Sequence, residues 1–262
     1  MFTADQVRAL QTLVRLWSRE RFAIIGASAM RWHLGERSRA THDIDLILGV
    51  TPERLPAGLE DESGWSRHPR REHTWIAQGN VTVDIVPAGE DGSVAGILTW
   101  PESGSRMNLA GLRLALDRAV PVEVAAGLTV RMAPLELIAL LKMVAFLDRP
   151  YERDRDLADI ALVLDEYVDA GDERRYGDEI FDHGLAYEEV SPFLLGRRLS
   201  EIVGPREKEA AAGFIDRIKG TDTSAQARML SVAPAGWRRD PGELLVRIAA
   251  LERGFEPAGE RR

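Results

Sequence analysis

The chain has 262 residues, no cysteine and a formal net charge of −8. Without cysteine, a disulfide scaffold, a thiolate zinc site and a cysteine nucleophile are excluded. The N-terminal sequence lacks a signal-peptide pattern and no apolar run approaches the roughly 20 residues that span a bilayer, so we expect a cytoplasmic protein with no membrane partner.

The first half of the chain alternates helix and strand patterns. Thr3 and Gln6 form a capping box that predicts a first helix, and the apolar residues 22–25 before Gly26 predict a strand that turns into a helix over residues 28–34. The next predicted elements are a strand over 43–50, a hairpin of 75–77 and 81–86 around Gly79-Asn80, a strand over 94–100, a helix over 107–119, and strands at 122–124 and 128–131.

From Pro134 onward only helical patterns remain. We predict helices over 135–147, 155–168, 206–219 and 241–255, and one that starts at Ser191-Pro192. The expected fold is therefore a mixed α/β (α+β) domain over residues 1–133, a mixed sheet with flanking helices, followed by an all-helical domain over residues 134–262.

The net charge is concentrated in one stretch. Residues 165–189 contain ten acids and only two arginines, which alone amounts to −8. Such a stretch is typical of a solvated helix face or loop. The acidic balance therefore does not exclude a nucleic-acid partner elsewhere on the surface.

Three carboxylates suggest a metal site. Asp43 and Asp45 are two residues apart in a predicted strand, so both side chains can converge on one or two hard cations. Asp84 lies between two β-branched residues of another strand, where an acid is disfavoured unless it reaches water or a cation. A lone Asp-x-Asp is more often a surface strand end, and Asp84 is what strengthens the hypothesis.

The small-residue turn at Gly26-Ala27-Ser28 is the second candidate feature. Such a turn lets a phosphate approach the backbone and meet the free N–H groups of a helix N-terminus, and Ser28 can add a hydroxyl. The alternative is an ordinary turn with Ser28 as the N-cap. A basic and aromatic stretch over residues 64–75 is similarly open: it could track phosphates and stack bases, or be a solvated loop between two core tryptophans.

These residues carry a family resemblance. The run IIGASAMRWHLGERSRATHDIDLIL resembles the first motif of the DNA polymerase β-like nucleotidyltransferase superfamily, and Val83-Asp84-Ile85 resembles its third-carboxylate motif. Arg39 and Thr41 before the Asp-x-Asp make the chain similar to the AbiEii-type nucleotidyltransferases, which include toxins of toxin–antitoxin systems. One departure is Ala27, which replaces the second residue of the usual Gly-Gly or Gly-Ser turn.

The resemblance extends into the helical region. Its second signature reads Lys142, Ala145 and Arg149, followed by Arg155-Asp156 and Asp159. Lys142 is one of only three lysines and lies in the apolar run LIALLKMVAFL, where an ammonium needs an anion. A phosphate would supply that anion; the alternatives are a lysine that extends to solvent at the domain edge or a pair with Asp156.

The resemblance implies a nucleotidyltransferase fold and an NTP-dependent enzyme that moves an NMP to an acceptor hydroxyl. Two Mg²⁺ ions would be held by Asp43, Asp45 and Asp84, and Gly26, Ala27, Ser28, Arg39 and Lys142 would bind the nucleotide. Lys142 and Asp156 would join the three carboxylates as catalytic residues, with the helical domain contributing to the active-site cleft.

Partners and competing functions follow from the same resemblance. It favours an RNA acceptor, in particular a tRNA 3′ end, and a possible antitoxin partner. An antibiotic or a protein hydroxyl is an alternative acceptor, and a catalytically silent nucleotide-binding protein is an alternative function. A glycosyltransferase with an Asp-x-Asp motif would need a larger domain than the 42 residues that precede Asp43.

Overall fold

The computed structural model describes residues 2–55, 58–89, 96–221, 223–237 and 240–256. The chain divides into two compact units, Met1–Ile138 and Ala139–Arg262. In the described ranges, no helix combines the length and the apolar character needed to cross a bilayer.

The first unit is a mixed β-sheet with helices. Its strands are β1 (Phe22–Ile25), β2 (Ile44–Leu48), β3 (Ser66–Arg67), β4 (Thr74–Ala77), β5 (Val81–Pro87), β6 (Ile97–Thr99), β7 (Arg106–Asn108), β8 (Val120–Ala125) and β9 (Leu128–Met132). Its helices are α1 (Ala4–Leu16), α2 (Gly26–Leu34), α3 (Leu112–Arg118) and the start of α4 (Leu135–Asp148). The predicted α/β class is confirmed.

The strand order in the main sheet is β3-β4-β5-β2-β1-β9-β8, and β6 pairs with β7 separately. Strand β2 runs antiparallel to β1 and parallel to β5. Every residue of β1 is buried, whereas β5 alternates buried and half-buried residues. The carboxylate-bearing strands therefore lie in the middle of the sheet, hydrogen-bonded on both edges.

Two sequence predictions in this unit need correction. The predicted helix over 107–119 is wrong at its start, because Arg106–Asn108 is a strand and Gly111 adopts a left-handed conformation with φ of +82° immediately before α3. The predicted strand over 94–100 is observed as Ile97–Thr99, and its first two residues lie outside the described ranges.

The second unit contains only helices among its described regular elements. They are most of α4, then α5 (Asp154–Glu166), the short α6 (Asp178–Asp182), α7 (Tyr187–Ile202), α8 (Pro205–Lys219), α9 (Thr223–Val232) and α10 (Pro241–Phe255), with a 3₁₀ turn at Glu173–Tyr176. Its core includes Phe146, Phe193 and Phe214, all fully buried. The edge-to-face rings of Phe146 and Phe214 are 5.8 Å apart.

Helix α7 begins earlier than predicted. The sequence suggested a start at Ser191-Pro192, but the helix begins at Tyr187 and contains Pro192 in its interior. The Glu189 carboxylate accepts a hydrogen bond from the Ala186 N–H, which stabilises the earlier start. Helix α9 was not predicted at all.

Helices α7 and α10 cross at two glycines. A Cβ added to Gly196 of α7 would overlap the Leu251 carbonyl oxygen, and one added to Gly254 of α10 would overlap the Phe193 carbonyl oxygen. The atoms in the way belong to the backbone of the facing helix. The close approach of α7 and α10 therefore requires glycine at both positions.

We expect Gly196→Ala and Gly254→Ala each to lower the free energy of unfolding of the helical unit by about 2–3 kcal/mol, as overpacking does. Urea unfolding followed by far-UV circular dichroism measures the change. Gly213→Ala in α8 is the matched control, because a Cβ there meets Leu147 at an ordinary 3.6 Å. Since alanine is the better helix former by about 1 kcal/mol, this control should not destabilise. A loss of stability in Gly213→Ala equal to that in the other two variants would contradict the steric explanation.

Candidate active site

Asp43 lies just before β2 rather than inside it, and its backbone is held on both sides. Its N–H donates to the Thr41 hydroxyl at 3.2 Å, and its carbonyl accepts from the Ser28 hydroxyl at 2.6 Å. The carbonyl of Thr41 in turn accepts from the side-chain amide of Gln6 at 3.2 Å. Asp43 itself is exposed, so a fixed backbone presents this residue to solvent.

Ser28 is not the N-cap of a helix, which was the alternative interpretation of this residue. It lies inside α2 with a relative exposure of 4 %, and the N-cap of this helix is Ile25. Its hydroxyl hydrogen goes to Asp43, and its nucleotide-binding role stays a prediction.

Asp45 lies against the start of α2. In the sheet it is the partner of Ile25 on β1, and Gly26 follows with a left-handed φ of +65°. A Cβ added to Gly26 would overlap the carboxylate of Asp45. The carboxylate therefore occupies the space beside the positive end of a helix that has no side-chain cap.

Asp84 is the direct partner of Asp45 across the parallel β2–β5 pair. Its Oδ1 accepts a 2.5 Å hydrogen bond from the hydroxyl of Thr74, a fully buried residue of β4. The Arg71 guanidinium lies 3.9 Å from its Oδ2. Both oxygens of this carboxylate therefore face donors of the protein.

The donor set fits a hard divalent cation. Carboxylate oxygens are the ligands that Mg²⁺ prefers, and the register places two of the three acids on neighbouring strands as direct partners. Among the residues that the structure describes, however, no three acidic or histidine side chains are grouped closely enough to form a ready-made metal site. The carboxylate of Asp45 lies next to Gly26, and that of Asp84 faces Thr74 and Arg71.

In the second unit, Lys142 forms a buried ion triad. Its ammonium lies 2.9 Å from Asp156 Oδ1 and 2.6 Å from Asp159 Oδ2, and all three side chains are less than 10 % exposed. Arg153 approaches the other oxygen of Asp156 at 3.5 Å. Of the alternatives weighed for Lys142, a pair with Asp156 is present, and Asp159 joins it.

The triad changes the titration of Lys142. Burial by itself would lower the pKa of this ammonium, but the negative charges of Asp156 and Asp159 and the hydrogen bonds to them raise the pKa above its ordinary value of 10.5. The lysine is therefore charged over the whole physiological range. Its requirement for an anion is met within the helical unit.

Two residues that contact the predicted site were missed by the sequence analysis. In the sequence, Thr74 and Arg71 are only two members of the basic and aromatic stretch 64–75. The hairpin turn at Gly79-Asn80 was a usable signal, since counting back from it pairs Thr74 with Asp84.

In the stretch 64–75, Trp75 is buried but Trp65 is only partly buried, so the expectation of two core tryptophans is half correct. Arg39 is exposed.

Comparison with known proteins assigns the class. The model of the AbiEii family, described as a nucleotidyl transferase AbiEii toxin of a type IV toxin–antitoxin system, matches residues 8–235. Among solved structures, an antigenic nucleotidyltransferase-like protein from Paracoccidioides brasiliensis matches with a TM-score of 0.44 and 16 % identity, over 87 % of this chain and 91 % of that one. No curated protein sequence matches the chain.

The protein is a nucleotidyltransferase. More narrowly, the chain belongs to the AbiEii family of nucleotidyltransferase toxins, because the match covers most of its length. The resemblance inferred from the sequence motifs is confirmed.

We expect Gly26→Ala to lower nucleotidyl transfer by about 100-fold, because a misplacement of about 1 Å in an active site can cost that much. The added methyl would displace the carboxylate of Asp45. Initial rates with a labelled NTP measure the loss.

Gly35→Ala is the matched control for this change. Gly35 follows the same helix with a similar φ of +60°, but a Cβ there has open space around it. It therefore reproduces the backbone strain without the clash. Equal rates in the two variants would show that strain alone is responsible.

Replacing Lys142 with Met should lower the free energy of unfolding by about 3–5 kcal/mol, since two buried carboxylates lose their cation. In the wild type, the raised pKa means that the triad stabilises fully below about pH 10.5 and that this contribution is lost as the pH rises through the folded-state value. Urea unfolding at about pH 8 and about pH 11.5 tests both points. The stability gap between Lys142→Met and wild type should narrow at the higher pH, and a gap that widens there would contradict the assignment.

Proposed function

We propose that the protein transfers an NMP from an NTP to an acceptor hydroxyl in a Mg²⁺-dependent reaction that releases pyrophosphate, and that the acceptor is an RNA, in particular a tRNA 3′ end. The observation that carries the metal dependence is the direct pairing of Asp45 with Asp84 on parallel strands, with Asp43 fixed at the entrance to the same strand. The RNA acceptor rests on the family membership.

We propose that Asp43, Asp45 and Asp84 hold the metal. When bound, two Mg²⁺ ions would lower the pKa of the acceptor hydroxyl and neutralise the charge that develops on the leaving pyrophosphate. The protein contributes the positions of the oxygens: Thr74 orients one oxygen of Asp84, and the backbone of Asp43 is fixed by Thr41 and Ser28.

The triphosphate is proposed to bind at the start of α2. The N-cap residue Ile25 makes no side-chain capping bond, and Gly26 begins the turn there with a left-handed φ. Backbone donors at a helix N-terminus suit phosphate oxygens, which the positive end of the helix also attracts. Ala27 and Ser28 follow in the same turn, and Arg39 is the proposed exposed cation for the nucleotide.

Lys142 and Asp156 are proposed as further site residues on the strength of the family motif. In the triad Lys142 already has two carboxylate partners, so we expect its effect on the reaction to accompany an effect on stability. The type IV toxin–antitoxin family also supports an antitoxin partner. Transfer to cellular RNA would fit the activity of a toxin that such a partner counteracts.

The test is transfer of label from each of the four α-labelled NTPs, with Mg²⁺, to total RNA, purified tRNA, aminoglycosides or the protein itself. We expect wild type to label tRNA and Asp45→Asn to label nothing. Asp61→Asn is the matched control, because Asp61 is an exposed acid of the same unit outside the proposed site; it should label as wild type does.

Each possible outcome of this experiment distinguishes one alternative from the proposed function. Label on an aminoglycoside or on protein, with none on RNA, would replace the proposed acceptor. Equal labelling by Asp45→Asn and wild type would overturn the role of the carboxylates. NTP binding without labelling of any acceptor would indicate a silent nucleotide-binding protein.

A further inference from the structure

Gln6 connects the first helix to the segment that carries Asp43. It is 3 % exposed and lies in the first turn of α1, where its Oε1 accepts the Thr3 N–H at 2.9 Å and its backbone N–H donates to the Thr3 hydroxyl at 3.2 Å. These two bonds complete a capping box. The same side chain makes a third bond, from Nε2 to the Thr41 carbonyl.

The third bond is not part of helix capping. A capping box needs only an acceptor at this position, and glutamate supplies one as well as glutamine does. Glutamate would also favour the positive end of the helix more than a neutral amide does. Only the amide can donate to a carbonyl, and here it donates to one that is 35 residues away in sequence.

That carbonyl belongs to the residue whose hydroxyl holds Asp43. Thr41 accepts from Gln6 with its backbone oxygen and from the Asp43 N–H with its side-chain oxygen. Ser28 holds the Asp43 carbonyl from the other side. Gln6, Ser28 and Thr41 also line one small pocket, together with Phe2, Arg31 and Trp32.

We propose that Gln6 is a positioning residue for the metal-binding carboxylate Asp43: its amide fixes the peptide after Thr41 and so sets where Asp43 enters the site. The inference rests on the proposed function, because Asp43 is taken there as a metal ligand. Replacing a residue that orients a metal ligand without touching the metal commonly changes metal affinity by about 10–100-fold.

The test compares three variants of the full chain. Gln6→Glu keeps the acceptor for the Thr3 N–H but loses the donor to Thr41. Gln6→Met loses the donor without adding charge. Thr3→Ala is the control, since it weakens the helix cap but leaves the bond from Gln6 to Thr41.

Binding of Mn²⁺, followed by electron paramagnetic resonance, is the first measurement. We expect about tenfold weaker binding by both Gln6 variants and unchanged binding by Thr3→Ala, although Thr3→Ala lowers the melting temperature. Transfer activity of the Gln6 variants should recover toward that of wild type at saturating metal, which loss of folded protein would not allow.

Hydrogen exchange of the Asp43 N–H in metal-free protein is the second measurement, and we expect faster exchange in both Gln6 variants than in Thr3→Ala. Wild-type Mn²⁺ affinity and wild-type exchange in either Gln6 variant would overturn the inference while the proposed function stands. Wild-type protein that binds no Mn²⁺ would overturn the proposed metal dependence and this inference together.

Discussion

The parallel register between β2 and β5 is the constraint on which the rest of the site depends. It makes Asp45 and Asp84 direct partners, and the antiparallel pairing of β2 with β1 brings Asp45 to the start of α2. Because side chains alternate faces along a strand, a slip of one residue would turn either acid to the opposite face. The buried residues of β2, with Ile44, Leu46 and Ile47 fully enclosed, resist that slip.

Segments next to β2 and β5 supply hydrogen bonds to the acidic residues of the candidate site. Charge alone would not provide these bonds. Thr74 of β4 orients Asp84, and Ser28 of α2 holds the carbonyl of Asp43. Each donor comes from a different element of the first unit. The hydrogen bonds therefore orient the acidic residues from separate parts of the first unit.

Much of this could be predicted from the sequence because the patterns are local. The capping box of α1, the strand before Gly26 and the hairpin around Gly79-Asn80 depend on neighbouring residues only. The helix predicted over residues 107–119 begins later than expected, because the left-handed Gly111 precedes its first turn. Helix α7 begins earlier than expected, because Pro192 is tolerated in its interior. The bond from Gln6 to Thr41 and the partner Asp159 of Lys142 depend on tertiary packing, which no local pattern specifies.

The glycine crossing of α7 and α10 has a consequence for how the helical unit can change during evolution. Most clashes in a core can be relieved by a smaller side chain at the contacting position. Here Gly196 and Gly254 face the carbonyl oxygens of Leu251 and Phe193, and every amino acid carries that oxygen. A larger residue at either glycine therefore has no compensating second-site substitution, and only a shift of a whole helix could accommodate it.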